Sequence, residues 1–189
     1  MPIFATYIKP KQKVIHLHDK EFVPFISAEE IDFAIRQMAS QIEDDHFDDV
    51  PVFIGILNGA FMVVSDFMKA YKGPCEVSFV KMASYEGTAS TGEMKQLIGI
   101  NQDLTNRSVV IIEDIVDTGH TVEELKAIFK KQNVKHLKIA TLFFKPDAYK
   151  KDIKIDYVGI RIPNKFIVGF GLDYDGLGRN LPEVYQLKE

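Results

Sequence analysis

Hydrophobic residues recur along the chain at two kinds of spacing, and the two alternate. A helical spacing begins after Ser27, where Glu30 completes a capping-box pattern. Short continuous apolar runs, typical of buried strands, lie at 52–57, 76–82, 109–112, 138–144, 156–160 and 167–171. Further helices are expected after residue 60 and over 121–131. Strands that alternate with helices predict an α/β fold with a mainly parallel central sheet flanked by helices.

Two segments add detail to this pattern. The helix after residue 60 should turn an apolar face inward, formed by Phe61, Val64, Phe67 and Met68. The stretch 85–95 is rich in Gly, Ser and Thr and has no large aliphatic residue except Met94. Loops of this length without structure of their own are usually either functional lids or disordered.

Composition and charge narrow the class of protein. A chain of 189 residues fits one domain of ordinary size, at about 150 residues per domain. The net charge is −4, from 23 basic and 27 acidic residues, which argues against nucleic-acid binding. Cys75 is the only cysteine, so no intrachain disulfide is expected. The sequence has neither a signal-peptide pattern nor an apolar run of bilayer length, so we expect no membrane contact and a cytoplasmic location.

The segment 109–121 carries the strongest chemical signal. A β-branched run leads into two adjacent carboxylates, a third carboxylate and a Thr-Gly-His-Thr turn that opens a helix. Hydroxyls and unpaired amides at a helix start form a cradle for a phosphate. Acids beside such a cradle suit the hydroxyls of a ribose, so a sugar phosphate is the expected ligand. The alternative is that the acids only cap the helix and solvate the strand end. The residues concerned are Glu113, Asp114, Asp117, Thr118, Gly119, His120 and Thr121.

This segment resembles the 5-phosphoribosyl-1-diphosphate (PRPP) signature of the type I phosphoribosyltransferases. Other stretches match the 6-oxopurine branch of that family in order and spacing, from Val52 to the C-terminus. The chain is thus similar to the hypoxanthine and hypoxanthine-guanine phosphoribosyltransferases. The matching residues are Leu57, Asn58 and Gly59 in a pyrophosphate loop, Ser84 and Tyr85 in a mobile catalytic loop, and Lys145, 162–169, 172–174 and Arg179 around a purine pocket.

The resemblance implies a fold and a reaction. The fold would be a single domain over 1–189, with a core of about 28–145 and a small hood subdomain of about 1–27 plus 146–189. The reaction would transfer the phosphoribosyl group of PRPP to hypoxanthine, and to guanine, in purine salvage. Mg²⁺ would neutralise the pyrophosphate leaving group.

Roles for the ribose-phosphate residues follow from the same resemblance. Asp117 would be the general base for the purine N7 proton, or only an electrostatic stabiliser of the ribose cation; both roles need a carboxylate. Glu113 and Asp114 would hold the ribose hydroxyls, directly or through Mg²⁺. Residues 118–121 would bind the 5-phosphate.

The purine and pyrophosphate roles are implied in the same way. Lys145 would donate to the purine O6, which favours 6-oxopurines over adenine. Phe166 would stack on the ring, and the backbone of Ile167 would contact its edge. Asp173 would lie near a second Mg²⁺, and Arg179 beside the pyrophosphate. A cis peptide is expected at Leu57–Asn58.

Two positions depart from the family pattern, and one different function stays open. Asn58 and His120 stand where basic residues are frequent, which predicts weaker charge contacts to PRPP. A PRPP-sensing regulatory protein of the same fold, without turnover, is the alternative function. The family and the apparently exposed Phe22 and Phe25 favour a homodimer or homotetramer.

Overall fold

We describe the protein from a computed structural model, which covers residues 14–45, 47–84, 94–98, 100 and 102–189. The three helices are α1 (Ala28–Asp44), α2 (Phe61–Ala70) and α3 (His120–Lys130). The ten strands are β1 (Ile15–Leu17), β2 (Lys20–Ile26), β3 (Val52–Leu57), β4 (Glu76–Ser84), β5 (Met94–Ile98), β6 (Ser108–Val116), β7 (His136–Phe144), β8 (Tyr157–Arg161), β9 (Ile167–Val168) and β10 (Val184–Leu187).

A six-stranded sheet forms the larger part, in the order β5-β4-β3-β6-β7-β8. All its pairings are parallel except that of β4 with the edge strand β5. One face packs against α1 and α2, through residues such as Ile35 and Phe67. The opposite face packs against α3, through Leu125 and Phe129. Because parallel strands end at one edge, the loops after β3, β6 and β7 meet there. The predicted α/β architecture is confirmed.

The local predictions are largely confirmed, with two corrections. Ser27 caps α1 in the expected capping box with Glu30. The β6 strand, however, does not end at residue 112 but continues to Val116, because its backbone keeps pairing with β7 through the acidic residues. In α2, Phe61 is exposed and Val63 is buried in its place, since Phe61 is the first residue of the helix and lies at the rim of the core.

A second, four-stranded sheet lies in the order β1-β2-β10-β9, and we call it the hood sheet. Its small core joins Phe22, Val168 and Tyr185. Phe22 is fully buried and Phe25 half-buried, so the expectation that they are exposed aromatics is wrong: their strand faces other strands of the hood. The expected boundary near 145 also needs correction, because β8 lies in the large sheet, where it pairs with β7.

The loop expected over 85–95 is described only at its end. Met94 and Lys95 belong to β5, which pairs with β4, rather than to a loop. Residues 85–93 lie outside the described part of the chain. Among the described residues, no helix is long and apolar enough to cross a bilayer.

Candidate active site

The turn between β6 and α3 forms a cavity of about 190 Å³. Gly119 is the N-cap of α3, with a φ of 84° that disfavours any side chain. A Cβ on Gly119 would lie 2.4 Å from Tyr149 Cε2, so the residue also has no room for one. The first amides of α3 are free for an anion, as at other helix starts. The cavity is lined by Glu113, Ile115, Val116, Asp117, Thr118, Gly119, His120, Thr121 and Val122.

The adjacent acids of β6 face opposite sides of the sheet. Side chains alternate along a strand, and Glu113 shares the α3 face, where it lines the cavity. Asp114 points to the α2 face, where its Oδ2 lies only 1.7 Å from the position that a Gly59 Cβ would occupy. One strand therefore supplies a carboxylate to each side of the site.

Both carboxylates are buried, with exposed fractions of 4% for Glu113 and 8% for Asp114. Burial, together with the neighbouring Asp114 charge, raises the pKa of Glu113 well above its usual value. Burial likewise raises the pKa of Asp114 to about 6, although the backbone N–H of Ile115 donates to its Oδ1 at 2.9 Å. Glu113 Oε1 has no hydrogen-bond partner among the described residues. Buried acids without partners are typical of sites that await a ligand.

The loop after β3 approaches the C-terminal segment closely. A Cβ on Gly171, whose φ is 98°, would lie 2.0 Å from the carbonyl oxygen of Gly59. The Leu57–Asn58 peptide is cis, as expected. Asn58 is exposed at the start of this loop. Glycine at position 171 therefore allows the two segments to lie this close.

Asp173 and Arg179 form an ion pair beside this contact. Arg179 Nη2 lies 2.6 Å from Asp173 Oδ1, and Arg179 Nη1 donates to the carbonyl of Gly171 at 2.7 Å. Both charged groups act on the pKa of Asp114, so the three side chains share one neighbourhood. This neighbourhood contains oxygen ligands of the kind that Mg²⁺ prefers. Within the described ranges, however, no cluster of three or more acids, histidines or cysteines forms a ready metal site.

Lys145 and Asp117 join the turn after β6 to the end of β7. Lys145 Nζ donates to Asp117 Oδ2 at 2.8 Å, and the backbone N–H of Lys145 donates to the carbonyl of Val116 at 3.0 Å. The Lys145 side chain is buried, whereas that of Asp117 is 43% exposed. A cation and a carboxylate therefore stand side by side at the mouth of the site.

Phe166 lies against the hood sheet with 46% of its surface exposed. Its ring is backed by Phe22, at 6.1 Å between centroids, and by Tyr174, at 5.8 Å and nearly perpendicular. Ile167, next to it, is buried in β9. An exposed aromatic face supported from behind suits stacking on a flat ligand.

The structure brings most of the predicted site residues to one edge of the large sheet. Ser84 ends β4, and Tyr85 lies outside the described residues. Two residues that support the site from behind, Gly171 and Tyr149, were not predicted, because they act through long-range contacts. Tyr174 was expected at the purine pocket through the family resemblance, but its contact with Phe166 was not. The glycine at 171 was the one signal available, since a glycine between apolar residues often marks a close approach.

Comparisons with known proteins agree with this geometry. Residues 27–175 match the family model of the phosphoribosyl transferase domain. A hypoxanthine-guanine phosphoribosyltransferase of Streptococcus mutans is 42% identical over 164 residues, which cover 86% of this chain and 91% of that protein.

Solved structures give the same result. The crystal structure of a hypoxanthine-guanine phosphoribosyltransferase from Bacillus anthracis has a TM-score of 0.82 at 36% identity and covers 87% of this chain and 98% of that one. The hypoxanthine phosphoribosyltransferase of Trypanosoma cruzi, in complex with the product IMP, has a TM-score of 0.82 at 30% identity, covering 92% and 97%. This chain therefore belongs to the phosphoribosyltransferase family, within its hypoxanthine-guanine branch.

Proposed function

We propose that this protein is a purine salvage enzyme. It transfers the 5-phosphoribosyl group of PRPP to hypoxanthine, and to guanine, giving IMP or GMP and pyrophosphate. The observation that carries the proposal is the 2.8 Å pair of Lys145 Nζ and Asp117 Oδ2.

This pair is complementary to one edge of a 6-oxopurine. The O6 and N7 of the ring lie next to each other on that edge. Lys145 is a donor for O6, and Asp117 is an acceptor for a proton on N7. Adenine places an amino group in the O6 position, so a donor would face a donor. A buried donor without an acceptor is heavily penalised, which makes the site selective for 6-oxopurines.

The transfer forms one bond and breaks another at the same carbon. The purine N9 bonds to C1 of the ribose, the bond from C1 to the pyrophosphate oxygen breaks, and the bonding pair leaves with pyrophosphate. The N7 proton passes to the carboxylate of Asp117, which is open to the cavity and within the phosphate turn. Alternatively, the negative charge of Asp117 would only stabilise positive charge on the ribose.

Glu113 and Asp114 bind the ribose hydroxyls in this proposal, and residues 118–121 bind the 5-phosphate. The unpartnered Oε1 of Glu113 supports its role, because a hydroxyl would supply the missing donor. Leu57, Asn58, Gly59 and Arg179 face the pyrophosphate. Phe166 stacks on the purine, and the backbone of Ile167 contacts its edge. A catalytic role for Ser84, which ends β4, and for Tyr85, which lies outside the described residues, stays a prediction from the family resemblance.

The donor set fits Mg²⁺. Asp173 and Asp114 offer hard oxygen ligands, with Glu113 on the ribose side, and Mg²⁺ is commonly held by one or two carboxylates together with substrate phosphates. Such shared binding agrees with the lack of a complete protein site in the described ranges. When bound, Mg²⁺ neutralises charge on the leaving pyrophosphate.

Residues 1–189 form one catalytic domain in this proposal. The protein works in the cytoplasm, as a homodimer or homotetramer. Exposed apolar side chains at Phe33, Phe61 and Val77 are available for contact between subunits. Light scattering after gel filtration measures the number of subunits. Fractionation of cells tests the location.

The function is tested by turnover with PRPP and Mg²⁺, offering hypoxanthine, guanine, xanthine and adenine separately. We expect fast turnover of hypoxanthine and guanine and negligible turnover of adenine. Asp117→Ala should lower kcat by about 10²- to 10⁴-fold, the usual contribution of a positioned general base.

The alternative is a regulatory protein that binds PRPP without turnover. PRPP binding seen by calorimetry, combined with no product from any base, would favour it. Adenine turnover as fast as that of hypoxanthine would instead remove the role of the Lys145–Asp117 pair while leaving the family intact.

A further inference from the structure

The phosphate turn 117–121 contains neither lysine nor arginine, although its ligand carries about two negative charges. Its own cationic side chain is His120, which is exposed and charged only when protonated. A carboxylate follows in the first turn of α3, at Glu123, whose N–H donates to the carbonyl of Gly119 at 3.1 Å. Left alone, Glu123 would repel a phosphate. A cation from outside the turn would offset this repulsion.

Lys151 is such a cation, and it comes from the segment after β7. Its Cγ lies 2.9 Å from the position of a Gly119 Cβ, so its stem lies directly over the turn. Its Nζ lies 2.5 Å from Glu123 Oε2, the same oxygen that His120 Nδ1 approaches at 3.9 Å. The ion pair holds the pKa of Glu123 below its usual value.

The segment that carries Lys151 is anchored to the turn rather than passing it by chance. The backbone N–H of Lys150 donates to the carbonyl of Thr118 at 3.4 Å. Tyr149 packs its ring edge over Gly119 and donates its hydroxyl to the carbonyl of Ile153 at 2.7 Å. The side chain of Lys151 is 27% exposed, so its ammonium meets both protein and solvent.

We propose that Lys151 is a further binding residue for the 5-phosphate, held ready over the turn by Glu123. The flexible four-carbon stem lets the ammonium donate to a phosphate oxygen while staying near the carboxylate. Glu123 is a positioning residue, which keeps the cation at the site when no phosphate is bound. The inference rests on the proposed function, because it assigns a residue to the same phosphate site.

The test compares binding of IMP and inosine by calorimetry, since the two ligands differ only in the phosphate. Lys151→Met should weaken IMP binding by about tenfold, as expected for a partly exposed charge-assisted hydrogen bond, and leave inosine binding unchanged. Lys151→Arg should restore most of the loss. Lys150→Met, which removes an exposed lysine next to it, should change neither. An unchanged IMP affinity in Lys151→Met, or an equal loss for both ligands, overturns the proposal.

A double-mutant cycle separates phosphate contact from simple neutralisation of Glu123. If Lys151 only offsets the carboxylate, Lys151→Met has no effect in a Glu123→Gln background. If Lys151 contacts the phosphate, the substitution still weakens IMP binding there by severalfold. A wild-type protein that binds IMP no better than inosine would count against the proposed function itself, whereas a normal wild-type preference that survives Lys151→Met would count against Lys151 alone.

Discussion

The proposed ribose-phosphate side of the site and its proposed purine side are built in different ways. The first comes from one continuous segment, residues 113–121, in which a strand, a turn and a helix start follow each other. The second is assembled from Lys145, Phe166, Asp173 and Arg179, with support from β2 and β10. Its contacts join residues far apart in sequence, such as Tyr174 and Asp19, which are 155 residues apart. Local geometry defines the first side, whereas packing of the hood sheet defines the second.

This difference predicts how strongly a single substitution affects each side. A local site depends on a few backbone positions, so a single added atom there should abolish it. An assembled site shares its support among several contacts, so loss of one contact should weaken it only in part.

Gly59→Ala should give the largest loss, because it disturbs the point where the two sides meet. The new Cβ would lie 1.7 Å from Asp114 Oδ2, so the carboxylate or the loop must move. Displacements of about 1 Å at a reacting site can cost 10²-fold in rate, so we expect a loss in kcat/KM of at least about that size.

Gly176→Ala is the matched control for this variant. Among the described residues nothing lies within 4 Å of its Cβ position, although its φ of 84° is positive, unlike that of Gly59. It should lower stability by about 1 kcal/mol and leave kcat/KM nearly unchanged. Equal kcat/KM values for the two variants would show that the close approach of Gly59 and Asp114 does not affect catalysis.

Asp114→Asn should stabilise the protein while impairing it. The pKa of Asp114, raised to about 6 by burial, means that its ionisation opposes folding at neutral pH. The stabilisation from the protonated group is complete below the unfolded pKa of about 4 and is lost as the pH rises through 6. Asparagine does not ionise, so the variant keeps the stability that the wild type loses when Asp114 becomes charged. Its free energy of unfolding at pH 7 should therefore exceed that of the wild type by about 3 kcal/mol.

Denaturant unfolding at pH 4, 5, 6 and 7 measures this difference. Acids whose pKa values are lowered by ion pairs contribute equally to both proteins and cancel. The raised pKa of Glu113 should fall in the variant, because the Asp114 charge that helps to raise it is removed, and this adds to the gain at neutral pH. The gain should shrink toward zero at pH 4. A gain that is the same at every pH would mean that the buried charge is not its cause.

Lys145→Met should affect the purine side more than the phosphate side. The variant removes the proposed donor to O6 and leaves Asp117 without its partner. Loss of one charge-assisted hydrogen bond costs about 2 kcal/mol, so we expect about a 30-fold lower kcat/KM for hypoxanthine. The slow rate with adenine should not fall, and IMP and inosine should lose affinity equally. A rise in the KM for PRPP alone would place Lys145 on the other side.

Tyr174→Phe should have the smallest effect, since it removes one of several supports. The Tyr174 hydroxyl donates to Asp19 Oδ1 at 2.7 Å, and its ring edge meets Phe166. We expect about a threefold rise in the KM for hypoxanthine, as for loss of one exposed hydrogen bond, with kcat unchanged. Tyr185→Phe removes a similar bond to Glu183 and should leave this KM alone. Equal rises in both variants would indicate a general loosening of the hood.

The same comparison explains how much the sequence alone could predict. The turn 117–121 was found because strand, acids and glycine follow in order, which needs no long-range information. The extension of β6 through Glu113 and Asp114 was not predicted, because acidic residues are rarely buried and therefore read as the end of a buried strand. The burial of Phe22 and the contact of Gly171 with Gly59 depend on how the hood sheet folds back, and no local spacing records that.

The alternation of Glu113 and Asp114 along β6 also limits how the chain length can vary. Inserting one residue just before Glu113 would turn it toward α2 and Asp114 toward α3, because the side-chain period of a strand is two. Both sides of the site would then lose their acid at once, although no side chain had been removed. Side chains in the turn between α3 and β7 do not alternate in this way. An added residue there would leave Glu113 and Asp114 facing the same sides of the sheet. Lengthening is therefore tolerated in the connections and excluded within this strand.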